Sequence, residues 1–225
     1  MQVSDVINAL ELSAAAYRNI QPVFPGGSIT VIDDSASGVQ CYLRKKNGCL
    51  SITFRGSNSL QDWKTNLTFH KKVIPYGNTG SKIRIHNGFL QAYKSPAVRN
   101  TIHRMISGDI FQVKISGHSQ GAALAILCAV DLQYNYPDLD YEAVVFGAPR
   151  VGNRAFQQSY DQRVFKTLRI ENGNDIVTKV PPVWMGYRHV GICIHIGTPK
   201  VLGLFSFKCH YPQSYYRNLF GLLSE

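Results

Sequence analysis

The segment that most constrains this chain is five residues long: Gly117-His118-Ser119-Gln120-Gly121, a G-x-S-x-G pattern. Before it, Phe111 to Ser116 reads as a strand. After it, Gly121 to Leu132 is almost wholly apolar, the composition of a helix buried on all sides. A serine at so tight a strand-to-helix turn projects beyond the sheet edge. Glycines on either side let the strand, the helix and neighbouring strands close up. The N–H of the next residue, Gln120, then faces any negative charge that develops at the helix N-terminus. This is the setting of a serine nucleophile, and such a serine needs a base to take its proton.

The rest of the chain supplies matching elements. Val3, Val6, Ile7 and Leu10 recur at helical spacing, so an amphipathic helix opens the chain. Residues 29–32 read as a strand. Val39, Cys41 and Leu43 alternate with polar residues, as do Leu50, Ile52 and Phe54, and Asn47-Gly48 between them is a two-residue hairpin turn. That register pairs Cys49 with Lys46 and Cys41 with Phe54. A short strand is expected over 82–86 and a helical stretch after Gly88. Ser95-Pro96 then looks like a cap and first-turn proline for a helix with Val98, Ile102, Met105 and Ile106 on its apolar face. Further strands are expected over Tyr141 to Phe146 and Val164 to Ile170, with a helix over 153–160 between them. Ile194, His195 and Ile196 also read as strand. Alternating strands and helices from 111 onward predict an α/β fold, a mostly parallel sheet with helices on both faces. With no linker, repeat or low-complexity segment, residues 1–225 are expected to form one domain.

In the fold that carries this kind of turn, the chain order is serine, then acid, then histidine. Of the acids after Ser119, Asp131 lies within the helix that follows it. Asp138 and Asp140 fall at the far end of the next strand. Asp175 follows the C-terminal end of the 164–170 strand, where active-site loops gather, and is the best choice. His189, His195 and His210 follow it, and position alone gives His210 only a modest edge. His118 adjoins Ser119, with its side chain expected to diverge from it. His70, His86 and His103 are expected to be structural or surface residues. No histidine pair has metal-ligand spacing, so neither a catalytic metal nor a cofactor is expected.

With 44% apolar and 17% charged residues the chain is globular rather than disordered. No apolar run approaches the roughly 18 residues of a membrane span. Met1 to Leu12 lacks the basic start and apolar centre of a signal peptide. The five cysteines form no CxxC, and the hairpin register separates Cys41 from Cys49, so reduced thiols are expected. Together these favour a cytoplasmic protein, or a secreted one if a signal peptide has been removed. The net charge is +10, and no Asp or Glu occurs between Trp63 and Gly108. That balance alone would admit nucleic acid or an anionic surface as partner, but no nucleic-acid-binding motif accompanies it.

Several motifs in order give the chain a wider resemblance. They are Glu11-Leu12-Ser13-Ala14-Ala15-Ala16-Tyr17, Ile52-Thr53-Phe54-Arg55-Gly56-Ser57, Trp63, His86-Asn87-Gly88-Phe89, the elbow at 117–121, Phe146-Gly147-Ala148-Pro149-Arg150-Val151-Gly152-Asn153, and Asn174-Asp175-Ile176-Val177 with Val180-Pro181-Pro182. From about Leu12 to Leu219 the chain resembles the class 3 lipases, which include fungal triacylglycerol lipases. The resemblance implies an α/β-hydrolase that cleaves carboxylic esters of lipids through a triad of Ser119, Asp175 and His210. It also implies an oxyanion hole of Ser57 and the Gln120 N–H. Two positions depart from the family pattern: Gln120 stands where leucine is usual, and Cys209 where aspartate often precedes the histidine.

Trp63 sits as the family's lid tryptophan does. Leu60, Trp63 and Leu67 fall at i, i+3 and i+7, which predicts one apolar face of a short lid helix within 58–70. Such a lid would meet a lipid–water interface, and the acid-free stretch that starts there points to anionic lipid. The rival readings are an esterase on small or aromatic esters, a phospholipase A1, and a lipid-binding protein on an inactive hydrolase scaffold. Intact Ser119, Asp175 and Ser57 count against the last.

Overall fold

The computed structural model describes residues 3–17, 29–56, 71–73, 80–198 and 205–221. In chain order the helices are α1 (Val3–Ala15), α2 (Asn87–Tyr93), α3 (Pro96–Arg104), α4 (Gln120–Asn135), α5 (Arg154–Arg163) and α6 (Pro212–Gly221). The strands are β1 (Ile29–Asp34), β2 (Val39–Lys46), β3 (Cys49–Phe54), β4 (Lys71–Val73), β5 (Arg84–His86), β6 (Gln112–His118), β7 (Asp140–Phe146), β8 (Gly152–Asn153), β9 (Thr167–Asn172), β10 (Tyr187–Arg188) and β11 (Ile192–Ile196). A seven-stranded sheet runs in the order β1-β2-β3-β6-β7-β9-β11. Its first two pairings are antiparallel, and from β3 onward all are parallel.

The hairpin has the register that its alternation and Asn47-Gly48 demand, with Cys41 opposite Phe54 and Lys46 opposite Cys49. Asn47 and Gly48 both take positive φ, as a type I′ turn requires. All five cysteines are free thiols. Helices cover both sheet faces. On one, α2, α3 and α4 bury Phe89, Val98, Ile102 and the apolar length of α4 against Leu43, Ile52, Phe54 and Val113. On the other, Val6, Ile7 and Leu10 of α1 and Tyr215 and Leu219 of α6 pack on Val144, Phe146, Ile170 and Ile196.

Four local details differ from expectation. The strand anticipated over 164–170 lies at Thr167–Asn172, because Val164 still caps the end of α5. The strand anticipated at 111–116 runs two residues further, to His118, and leaves Phe111 exposed at its start. Ser95 sits at the α3 N-cap, but its hydroxyl donates to Asp34 Oδ2 and caps no helix N–H. A second, four-stranded sheet of order β10-β8-β5-β4 was not foreseen. Its strands are two or three residues long; β5 answers to the short strand expected over 82–86, and the other three carry no alternation to read. Ser57, Leu60, Trp63 and Leu67 lie outside the described residues, as does the whole of the anticipated lid.

Candidate active site

Ser119 stands between β6 and α4 with φ 60° and ψ −126°. A non-glycine residue held there costs about 1–3 kcal/mol, tolerated only where the surroundings over-determine it. The two glycines supply the surroundings. A Cβ at Gly117 would stand 2.8 Å from the Ala122 nitrogen, and one at Gly121 would stand 2.6 Å from the Arg55 carbonyl oxygen. With hydrogens in their place, α4 seats against β6 and the end of β3. The Ser119 N–H donates to the Phe146 carbonyl at 3.0 Å, which ties the turn to the end of β7. Gln120 is the first residue of α4, so its N–H is among those that no carbonyl of the helix can reach.

Asp175 and His210 meet beside this turn. Asp175 leaves the C-terminal end of β9 and is 1% exposed. His210, also 1% exposed, ends a short 3-10 turn (Lys208–His210) before α6. His210 Nδ1 lies 2.8 Å from Asp175 Oδ2. A carboxylate only accepts, so Nδ1 carries the hydrogen and Nε2 is left with a lone pair. Nε2 is buried and has no hydrogen-bond partner among the described residues. The pair lies over Gly147, just past β7. There φ is +56°, and a Cβ would stand 2.9 Å from Asp175 Oδ2 and from His210 Nδ1. The geometry thus leaves room only for glycine.

Asp175 is held by more than the histidine. Tyr215 Oη donates to Oδ2 at 2.6 Å, and the Val177 N–H to Oδ1 at 2.9 Å. Burial, and then the Asp175 charge, push the Tyr215 hydroxyl far above the ordinary tyrosine range, so it remains a donor. Thr178 Oγ1 donates to the Asp175 carbonyl at 2.8 Å. Asn172 Nδ2 reaches the Cys209 carbonyl at 2.8 Å and Ser214 Oγ at 2.9 Å, fastening the histidine's turn to the end of β9. Neither Tyr215 nor Asn172 was singled out from sequence. Each lies several tens of residues from its partner, and no short motif relates them.

The other candidates are committed elsewhere. Asp131 accepts from Tyr93, Arg99 and His103 on the flank of α4 away from this turn. Asp140 pairs with Lys166, and Asp161 accepts from the Gly191 N–H. Glu171 is buried against Arg169 and takes Lys179 Nζ at 2.8 Å. His195 is exposed on β11. His189 Nε2 lies 3.7 Å from Glu171, but its hydrogen goes to the Thr178 carbonyl at 2.7 Å. Burial, with the Arg169 charge beside it, brings His189 down to about 3, so its ring is neutral at pH 7. His189 therefore braces the loop that carries Asp175. Among the described residues, no group of His, Cys, Asp or Glu could hold a metal ion.

His118, expected to point away from Ser119, packs its ring on His210, with ring centroids 4.6 Å apart, and its Nε2 lies 2.7 Å from the His210 carbonyl.

Comparison with known proteins agrees with this geometry. Residues 51–185 match the family described as Lipase (class 3). A chloroplastic phospholipase A(1), DAD1, of Arabidopsis thaliana is 36% identical over 149 residues, covering 59% of this chain and 33% of its own length. A lipase of Rhizomucor miehei is 33% identical over 146 residues, covering 62% and 39% respectively. The chain thus spans between a third and two-fifths of these relatives. Among solved structures, a triacylglycerol lipase whose catalytic centre is a serine-protease triad superposes with a TM-score of 0.71 at 26% identity, covering 87% of this chain and 79% of that one.

Proposed function

This chain belongs to the class 3 lipase family, and on that premise we propose that it hydrolyses carboxylic esters of lipids through an acyl-enzyme on Ser119. The observation that carries the reading is the His210–Asp175 pair, which leaves a buried Nε2 without a partner among the described residues and packs on His118, next to Ser119 in its strained turn. Ser119 Oγ attacks the ester carbonyl while His210 Nε2 takes its proton. Asp175 holds the imidazole in the required tautomer and stabilises the imidazolium. The Gln120 N–H and Ser57 hold the oxyanion, and one such donor is worth about 3–4 kcal/mol. His210 returns its proton to the departing alcohol. Water, activated by the same histidine, then releases the acid.

The relatives and the surface support the substrate class. Lipase and phospholipase A(1) are the activities named for the two relatives above. Val183, Trp184, Phe205 and Tyr211 are exposed around the Asp175 and His210 loops. An acylglycerol or phospholipid at a lipid–water interface suits an apolar rim of this kind. The lid over 58–70, with Leu60, Trp63 and Leu67, is part of the same proposal.

A panel of p-nitrophenyl esters, emulsified triacylglycerol and phosphatidylcholine vesicles tests it. Ser119→Ala and His210→Ala should each lower kcat by about 10⁴–10⁶, since triad members act as a unit. A fluorophosphonate should label wild type once, at Ser119. His189→Ala should lose stability and keep most of its turnover. If His189→Ala proves inactive while folded, or if label falls on another serine, this assignment is wrong. Ester cleavage confined to short soluble substrates would reduce the protein to an esterase.

A further inference from the structure

His118 takes no part in the proton transfers just described, yet it is almost completely buried in the middle of the site. Its two nitrogens have distinct partners. Nε2 lies 2.7 Å from the His210 backbone carbonyl, and Nδ1 lies 2.8 Å from Tyr17 Oη. A carbonyl can only accept, so Nε2 carries the hydrogen. In a neutral ring Nδ1 is then an acceptor, and the Tyr17 hydroxyl must donate to it. Tyr17 Oη also lies against the backbone of Gly56, just past β3. The hydroxyl can come this close because residue 56 is glycine: a Cβ there would collide with it. One direction of donation therefore runs from Tyr17 through His118 to the backbone of His210. Burial, and the neighbouring His210, keep His118 far below the ordinary histidine range, which maintains the neutral tautomer the chain requires.

The connections are long in sequence and short in space. Tyr17 lies 101 residues from His118, and His118 lies 92 from His210. The His118 ring also packs on the His210 ring and meets the edge of Tyr215, which itself holds Asp175. Because His118 precedes Ser119 in the chain, any shift of its backbone moves the serine. Its ring, at the same time, grips the main chain of the histidine. A rigid imidazole bonded at both ends is a short strut between the nucleophile's turn and the base's turn.

We propose that His118, held in a single tautomer by Tyr17, is a positioning residue that sets the distance between Ser119 and His210 and couples it to α1 and to the end of β3. The proposal rests on the hydrolase reading above. Misplacing a reacting group by about 1 Å can cost roughly 10²-fold in rate.

His118→Leu keeps the bulk and loses both bonds. His118→Gln keeps an N–H at the position of Nε2, and with it the bond to the His210 carbonyl, while losing that to Tyr17. Tyr17→Phe removes only the donor to Nδ1. With p-nitrophenyl butyrate, His118→Leu should lower kcat about 10–100-fold and leave KM within about twofold. His118→Gln should recover kcat to within about fivefold of wild type, and Tyr17→Phe should lose about two- to fivefold. In the His118→Gln background, Tyr17→Phe should cost nothing more, because the bond it removes is already absent. The rate of fluorophosphonate labelling at Ser119 should follow the same ranking without reference to any ester. Should His118→Leu not fold, the His118→Gln and Tyr17→Phe cycle decides the matter alone. Equal labelling rates in wild type and all variants would overturn this proposal and leave the hydrolase reading standing. So would losses in which glutamine fares no better than leucine and the effects of Tyr17→Phe and His118→Gln simply add. A wild type that takes no label at all would sink the hydrolase reading, and this one with it.

Discussion

Asp175 Oδ2 serves two donors at once, His210 Nδ1–H and Tyr215 Oη–H, inside a site from which solvent is almost excluded. The two donors have different consequences. Asp175→Asn replaces one carboxylate oxygen with an N–H₂ and would turn the histidine to the wrong tautomer. By analogy with other triads kcat should fall about 10⁴-fold while the fold survives. Tyr215→Phe leaves the His210–Asp175 bond intact and strips one donor from a buried carboxylate. A hydrogen bond to a charged group is worth about 1.5–3 kcal/mol, so stability should fall by roughly that much. Its effect on kcat should stay within about tenfold, since orientation of the imidazole persists. Urea unfolding and steady-state kinetics on the same preparations separate the two effects. A Tyr215→Phe enzyme as inactive as Asp175→Asn would show that the tyrosine does more than support the acid.

The elements that carry these residues are anchored at their far sides. Helix α4 presents the Ser119 turn at its N-terminus, and its flank is tied down by Asp131. That carboxylate is buried and accepts from Tyr93, from Arg99 at two atoms, and from His103. Burial alone would raise its pKa. The hydrogen bonds from His103, Arg99 and Tyr93 outweigh that and hold it at about 2. The folded value lies below the ordinary aspartate value, so the bond set contributes fully above about pH 4 and is lost as pH falls through 2. Asp131→Asn should therefore cost about 2–4 kcal/mol at pH 7, and its deficit should shrink steadily below pH 4. A deficit constant from pH 7 to pH 2.5 would place the effect in packing rather than charge. Asp131 also marks how far sequence reasoning reached. Its place inside the elbow helix was legible because an apolar run after G-x-S-x-G has one structural meaning. The hairpin register was legible because Asn-Gly turns and period-two alternation act over a dozen residues. The acid at Asp175 could be picked from its place after a parallel strand. By contrast, the tyrosines at 17 and 215 and the clamp at His118 are long-range contacts that only the closed fold creates. Of the second sheet only β5 was legible, as the short strand expected over 82–86; its partners β4, β8 and β10 are two or three residues long and are set by tertiary packing.

Taken as a whole, the molecule is polarised along its strands. Phe111 and Phe165 are exposed where β6 and β9 begin, at the end away from the site. At the other end, Val183, Trp184, Phe205 and Tyr211 stand exposed on the segments that follow Asp175 and flank His210. Trp184 is 83% exposed, more than any other large apolar side chain among the described residues. Its loop is held from beneath, where Arg150 Nη1 donates to the carbonyls of Lys179 and Pro181. An exposed tryptophan on the loop that follows Asp175 is suited to the boundary between water and acyl chains, where an indole places its ring in lipid and its N–H in water. The net charge of +10 adds a long-range attraction to anionic surfaces that salt screens over about 8–10 Å. These terms predict separable responses. Trp184→Ala and Trp63→Ala should each weaken adsorption to vesicles and activity on emulsified triacylglycerol, with little change on soluble p-nitrophenyl butyrate. Anionic lipid should strengthen adsorption at low ionic strength for wild type and both variants alike, and high salt should remove that gain while the tryptophan deficit persists. If the lid proposal holds, the wild-type rate should also rise more steeply than saturation allows once substrate passes its solubility limit, and Trp63→Ala should flatten that rise more than Trp184→Ala. A hyperbolic rate curve through the limit, the same in all three proteins, would rule out interfacial activation and leave a soluble-ester hydrolase with an ornamental apolar rim.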